Sequence, residues 1–139
     1  MINEAYRDGK ERPLSQAIGA AAPDFPRQVL LVEDNVLIAM DVESMLEELG
    51  AVTILTASTI GEAQEFAEQP IDFAILDLHL GNETSLPIAK ALGERGISFV
   101  FASGDGDQAG LTDGLAAVPV IMKPYRRDDI LAAWREVRR

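Results

Sequence analysis

The stretch 71-IDFAILDLHLGNE-83 decides how this chain of 139 residues is read. Residues 73–76 are apolar without a break, as in a strand covered on both faces, and the run closes on Asp77 with His79 close behind. We read a strand over 72–77. A carboxylate at the end of a buried strand can bind a metal, attack an electrophile or cap a turn, and what stands around it must choose among these.

Working outward, the chain alternates short apolar runs with amphipathic stretches. Residues 28–33 (QVLLVE) make a first strand. Ile38, Val42, Met45, Leu46 and Leu49 then recur at helical spacing, with Asp41, Glu43, Glu47 and Glu48 off that stripe and Gly50 as its stop. A second strand over 52–57 leads to a helix opened by Ser58 or Thr59, which carries Ile60, Ala63, Phe66 and Ala67 and ends before Pro70. After the opening stretch, a loop of Gly81, Asn82 and Glu83 enters a third helix with Pro87 in its first turn. Residues 97–102 are a fourth strand and 118–122 a fifth. The four glycines of 104-GDGDQAGLTDGL-115 make a poor helix between them. Ile130, Leu131, Trp134 and Val137 mark a last helix, with Asp128 and Asp129 in its first turn. Five βα units predict a single α/β domain, a parallel sheet with helices on both faces.

The remaining composition narrows the class. No cysteine is present, which removes disulfides, thiolate chemistry and cysteine-ligated metals. Residues 1–27, with Pro13, Pro23, Pro26 and the run AIGAAAP, read as a flexible leader, with the domain proper at 28–139 and at most one helical turn around 15–20. The start is polar, without the apolar core of a signal peptide, and no segment has the length of a membrane span; a cytoplasmic protein with no membrane partner is expected. Net charge is −11, and between residues 28 and 122 only Lys90 and Arg95 oppose sixteen acidic groups. That surface argues against nucleic acid, whose affinity rests on phosphate neutralisation. The tail from Lys123 onward has six basic and three acidic residues, a balance that complements the carboxyl end of a final helix.

In parallel sheets functional groups gather at the carboxyl ends of the strands. Strand one ends in Glu33 and Asp34, strand three in Asp77, strand four in Ser103 and strand five in Lys123-Pro124. Singly, each has an ordinary explanation: Asp34 as a helix cap, Ser103 as a turn hydrogen bond, Lys123 as the neutraliser of a nearby acid. Together, three carboxylates on one rim repel and call for a cation, and an all-oxygen set suits Mg²⁺. A hydroxyl and an ammonium beside them suit a bound phosphoryl group, with Asp77 as nucleophile.

This order of residues on five βα units resembles the receiver domain of bacterial two-component response regulators, over about 28–139. The resemblance implies a flavodoxin-like, doubly wound (βα)5 fold with strand order 2-1-3-4-5. It implies that Asp77 is the phospho-acceptor, and that Glu33, Asp34, Asp77 and the backbone carbonyl of His79 hold Mg²⁺, Glu33 through water. It further implies that Ser103 and Lys123 bind the phosphoryl group, that the Lys123–Pro124 bond is cis, and that a sensor histidine kinase is the donor. Such a domain is a signalling phospho-acceptor, catalysing only its own phosphorylation and dephosphorylation. The stretches 74-AILDLHLGNETSLPIA-89 and 97-ISFVFASGDG-106 are further similar to the FAT GUY subfamily, whose members often stand alone or partner kinases of the HWE type. Ser98 stands at that motif's proline, Ser103 at its threonine and Asp105 at its aromatic.

The chain departs from ordinary receivers at Val120, where they carry an aromatic switch residue, so residues 104–114 are the expected alternative two-state element. Tyr125 is expected to pack. Rival readings are weaker: a haloacid-dehalogenase phosphatase needs aspartate where His79 stands, and an FMN cradle would be repelled by Glu33 and Asp34. A pseudo-receiver serving only as an interaction module remains the alternative. With the chain ending after its last helix, output is expected through an unknown partner protein.

Overall fold

The computed structural model describes residues 22–104 and 115–138. The elements run β1 (Gln28–Val32), α1 (Val36–Leu49), β2 (Thr53–Ala57), α2 (Ile60–Phe66), β3 (Phe73–Asp77), β4 (His79–Leu80), β5 (Glu83–Thr84), α3 (Leu86–Glu94), β6 (Ser98–Ser103), β7 (Val120–Met122) and α4 (Arg127–Val137). A 3₁₀ turn at Leu115–Ala117 precedes β7. Five strands form one parallel sheet in the order β2-β1-β3-β6-β7, which is the expected 2-1-3-4-5 once the small β4–β5 ribbon is set aside. The fold is the flavodoxin-like, doubly wound architecture.

Side-chain alternation along each strand builds two cores. Val29 and Leu31 of β1, Phe73 and Ile75 of β3, Val100 and Ala102 of β6, and Ile121 of β7 face α1 and α4. The intervening residues Leu30, Val32, Ala74, Leu76, Phe99 and Phe101 face α2 and α3. The all-apolar runs in the sequence are thus explained: both faces of the central strands are covered. Continuing the alternation, Asp77 follows Phe73 and Ile75 towards the α1/α4 side, whereas Leu78 packs with the α2/α3 core, away from Asp77.

Helix boundaries follow local chemistry. Gly50, at φ 128°, closes α1 where a side chain would be strained. Thr59 caps α2 by accepting the Glu62 N–H, and Pro87 sits in the first turn of α3. The stop of α1 and the opening of α2 are as the sequence predicts. Four expectations need correction or limits. The cap of α1 is Asn35, whose side chain accepts the Ile38 N–H at 3.0 Å, and not Asp34. The loop after Asp77 contains a two-stranded antiparallel ribbon, with His79 opposite Thr84 and Leu80 opposite Glu83. The domain boundary expected at residue 28 falls inside the packed body: Ala22 and Phe25 are buried in the α1/α4 core, and Ala22 N–H donates to the Leu49 carbonyl. Residues 1–21 and the two-state element expected within 104–114, apart from Gly104, lie outside the described residues.

Candidate functional site

The parallel sheet brings the ends of β1, β3, β6 and β7 to one rim, and register sets their depth. Val32 pairs with Leu76, Asp77 with Ala102, and Ala102 with Ile121, so Glu33 and Asp77 emerge at one level, with Ser103 one residue and Lys123 two residues further along the same rim. Carboxylate oxygens of Glu33, Asp34 and Asp77 lie within 4.8 Å of one another. Glu33 and Asp77 are buried and Asp34 is exposed. The three acids therefore form a pocket with two buried walls and one solvent-facing lip.

Lys123 enters this pocket. Its Nζ is 2.9 Å from Glu33 Oε1 and 2.9 Å from Asp77 Oδ2. Glu33 Oε2 accepts the Asn35 N–H at 3.1 Å, so both its oxygens are engaged from opposite sides. Asn35 was not singled out from sequence; its only signal there is its place after two acids at a helix start. The Lys123–Pro124 bond is cis. Ser103 is buried at the end of β6, and its carbonyl accepts the Lys123 N–H at 2.9 Å. His79 is exposed on the ribbon beside Asp77.

Electrostatics follow from this burial. Desolvation raises the Asp77 pKa to about 6; the Lys123 hydrogen bond opposes the rise and the Glu33 charge adds to it. For Lys123 burial pulls the pKa down, yet the two carboxylates outweigh it and the ammonium is held above its usual range. One cation thus serves two buried anions, which leaves a net negative pocket with a third carboxylate at its mouth. An oxygen-only donor set of this charge fits a hard divalent cation such as Mg²⁺.

Next to Lys123 a cavity of about 290 Å³ opens between α1 and the β7–α4 junction, lined among others by Ile38, Asp41, Met45 and Tyr125. The Tyr125 hydroxyl is buried without a hydrogen-bond partner among the described residues. Burial above all, then the charges of Glu33 and Asp77, push its pKa upward. The expectation that Tyr125 packs holds for its ring, which belongs to the α1/α4 core.

Comparison with known proteins places this arrangement. No family model matches the chain. Among solved structures, the chain is similar to SdrG from Sphingomonas melonis Fr1, at 41% identity and TM-score 0.67, covering 78% of this chain and 92% of that one. A receiver domain described as CheY-like, from Methanospirillum hungatei JF-1, shares the fold at 24% identity and TM-score 0.68, over 79% of this chain and 91% of that one. Among curated proteins, the TorCAD operon transcriptional regulatory protein TorR of Escherichia coli O157:H7 is 29% identical over 110 residues, 77% of this chain and 48% of TorR. The transcriptional regulatory protein PdtaR of Mycobacterium tuberculosis is 29% identical over 78% of this chain and 55% of its own length. The chain spans about half the length of these curated relatives. It belongs to the receiver-domain family of two-component response regulators. Among the described residues no helix is long and apolar enough to cross a membrane.

Proposed function

We propose that this receiver takes a phosphoryl group onto Asp77 from a sensor histidine kinase, with Mg²⁺, and that a partner protein reads the change. The observation that carries the reading is the Lys123 ammonium seated between two buried carboxylates, 2.9 Å from each, beside the exposed Asp34. A structural ion pair has no use for the third acid, whereas a phospho-acceptor site needs a cation site, a nucleophile and a phosphate-binding ammonium together.

Glu33, Asp34 and Asp77, with the His79 carbonyl, would hold the cation, which when bound supplies charge neutralisation for the incoming phosphate. The remaining steps belong to the chain. An Asp77 oxygen bonds to phosphorus as the P–N bond of the donor phosphohistidine breaks, its electron pair returning to the imidazole. Lys123 and Ser103 hold the phosphoryl oxygens. Water later attacks phosphorus, releasing inorganic phosphate and restoring the carboxylate. The exposed Val36, Leu37 and Met40 on the first turns of α1, close to Asp34, support a protein donor, for which they offer an apolar rest.

Within the receivers, the residues 98–104 support the FAT GUY type and a kinase of the HWE type. Ser98, in place of that motif's proline, donates to the Val137 carbonyl at 2.9 Å and so ties the start of β6 to the end of α4. The pseudo-receiver alternative draws its support from Val120, which lacks the usual switch aromatic. Phosphotransfer decides between them. Native chain should be labelled by a phosphorylated kinase or by acetyl phosphate in Mg²⁺, and Asp77→Asn, which lacks the nucleophile, should lose that labelling. Persistent labelling of Asp77→Asn would place the nucleophile elsewhere, and an unlabelled native chain would favour the interaction module.

A further inference from the structure

The cavity of about 290 Å³ between α1 and the β7–α4 junction is apolar along most of its wall, with Ile38, Val42, Met45 and Pro124 in it and the exposed Asp41 beside them. Ile38 and Asp41 also line a neighbouring hollow with Leu37 and Met40, which are 78% and 60% exposed. The apolar surface therefore continues from the cavity around α1. A continuous apolar surface open to water marks a docking place. Asp41 adds a charge to it, since this carboxylate has no ion pair among the described residues. Of the two basic residues between 28 and 122, Lys90 and Arg95, neither lines the cavity.

The chain itself supplies an occupant. Ala22 is buried, and its N–H donates to the Leu49 carbonyl at 2.9 Å, so the amino-terminal segment joins the body at the last turn of α1. The cavity lies back along that helix. Asp41 stands eight residues before Leu49, about 12 Å of helical rise. Leu14 stands eight residues before Ala22, so it reaches the level of Asp41 when the residues between are fully helical and with slack when they are extended. By the same measure Ile18 comes level with Met45. Leu14 and Ile18 are four apart, so one helical turn presents both on one face, and Pro13 ahead of them suits a helix start. Arg12 then arrives beside the unpaired Asp41. The exposed Arg127–Glu48 pair, 2.7 Å apart, joins α4 to α1 between the two levels, and the segment passes over it. Tethering decides in favour of this occupant over a second copy: a segment so joined is held at an effective concentration on the order of millimolar, at which a weak apolar contact suffices.

We propose that residues 12–18 dock on the chain's own α1/α4 face, with Leu14 and Ile18 in the cavity beside Lys123 and Arg12 against Asp41. The docking is independent of the phospho-acceptor reading and is tested without metal or phosphate. The chain has no cysteine, so Gln16→Cys carries a single nitroxide spin label on the side of the turn away from Leu14 and Ile18. In methyl NMR of the full labelled chain, the Ile38 and Met45 signals are expected to be strongly broadened. Those of Ile88 and Leu92, in the core on the other face of the sheet, should be broadened far less. Adding Leu14→Asp and Ile18→Asp to the labelled chain should abolish this selective broadening, while unchanged methyl shifts in the α2/α3 core show that the body stays folded. Equal broadening of the two sets overturns the proposal, as does broadening of Ile38 and Met45 that survives the double substitution. Mixing spin-labelled chain with isotope-labelled chain that carries no spin label separates the second copy from the tethered segment. No broadening is expected in the mixture; broadening of Ile38 and Met45 there overturns self-docking and gives the cavity to a second copy.

Discussion

At the scale of single residues, the tension at Asp77 is measurable as a pH effect. Burial lifts its carboxyl to about 6 in the folded, metal-free chain, against the ordinary value of 3.8 that applies when unfolded. Between these values the folded state binds the proton more tightly than the unfolded state does. The contribution of this group to stability is therefore full below about 4, is lost as pH rises towards 6, and stays lost above it. Asp77→Asn removes the ionisation and should stabilise the chelator-treated protein at pH 7.5 by about 1–3 kcal/mol, the scale of a two-unit shift. At pH 4 the gain should nearly vanish. Urea unfolding midpoints at the two pH values check this, and an equal gain at both would mean that packing, not charge, is responsible. Asp77 is thus expected to sit at a place that disfavours its own ionised form until a cation arrives.

At the scale of elements, α1 shows what the sequence reveals and what it leaves open. Its apolar stripe and its Gly50 stop were legible, because a 14-residue helix repeats its pattern often enough to be seen. Its start was not, because Asp34 and Asn35 are equally good caps and only tertiary contacts separate them. The Asn35 N–H is drawn to Glu33 Oε2, which turns the Asn35 side chain onto the Ile38 N–H and leaves Asp34 at the mouth of the acid pocket. Asn35→Ala should accordingly cost about 1 kcal/mol in thermal or urea unfolding, the usual worth of a cap. Asp34→Ala should cost much less in the same assay while weakening Mg²⁺ binding by calorimetry. A larger stability loss for Asp34→Ala would return the cap to that residue. The ribbon of β4 and β5 was illegible for a different reason: two-residue strands are too short to show alternation, and Gly81, at φ 60° between them, reads equally well as a plain loop. Of the site, the five rim residues were readable from strand ends alone, whereas the buried hydroxyl of Tyr125 was not, since sequence does not tell whether a tyrosine in a core finds a partner.

At the scale of the whole molecule, the sheet has a chemical end and a structural end. The carboxyl rim carries the acids and Lys123, while the opposite rim is closed by residues 22–26. Phe25 lies there edge-on to Phe73 at 6.2 Å and to Trp134 at 6.4 Å, with Phe73 and Trp134 themselves 5.2 Å apart. The Trp134 Nε1–H donates to the Asp24 carbonyl at 3.1 Å, and the Asp24 carboxylate is bridged by Arg135 and Arg138. The sequence hid this seal because a single Phe between Pro23 and Pro26 has no period, and prolines on both sides read as linker. Physically it is the aromatic cluster that holds the segment, since the Asp24 bridges are solvated and salt-sensitive. Phe25→Ala should cost about 3 kcal/mol or more, the usual loss for truncating a buried phenylalanine. It should also shift Trp134 emission to the red, while Asp24→Ala should change the unfolding midpoint far less. Because the two rims share no side chains, Mg²⁺ affinity of the Phe25→Ala chain, measured where it remains folded, should match that of the native chain. A coupled loss of Mg²⁺ binding would show instead that the amino-terminal seal sets the spacing of β1 and β3 through the whole sheet, and so the distance between Glu33 and Asp77 at its far end.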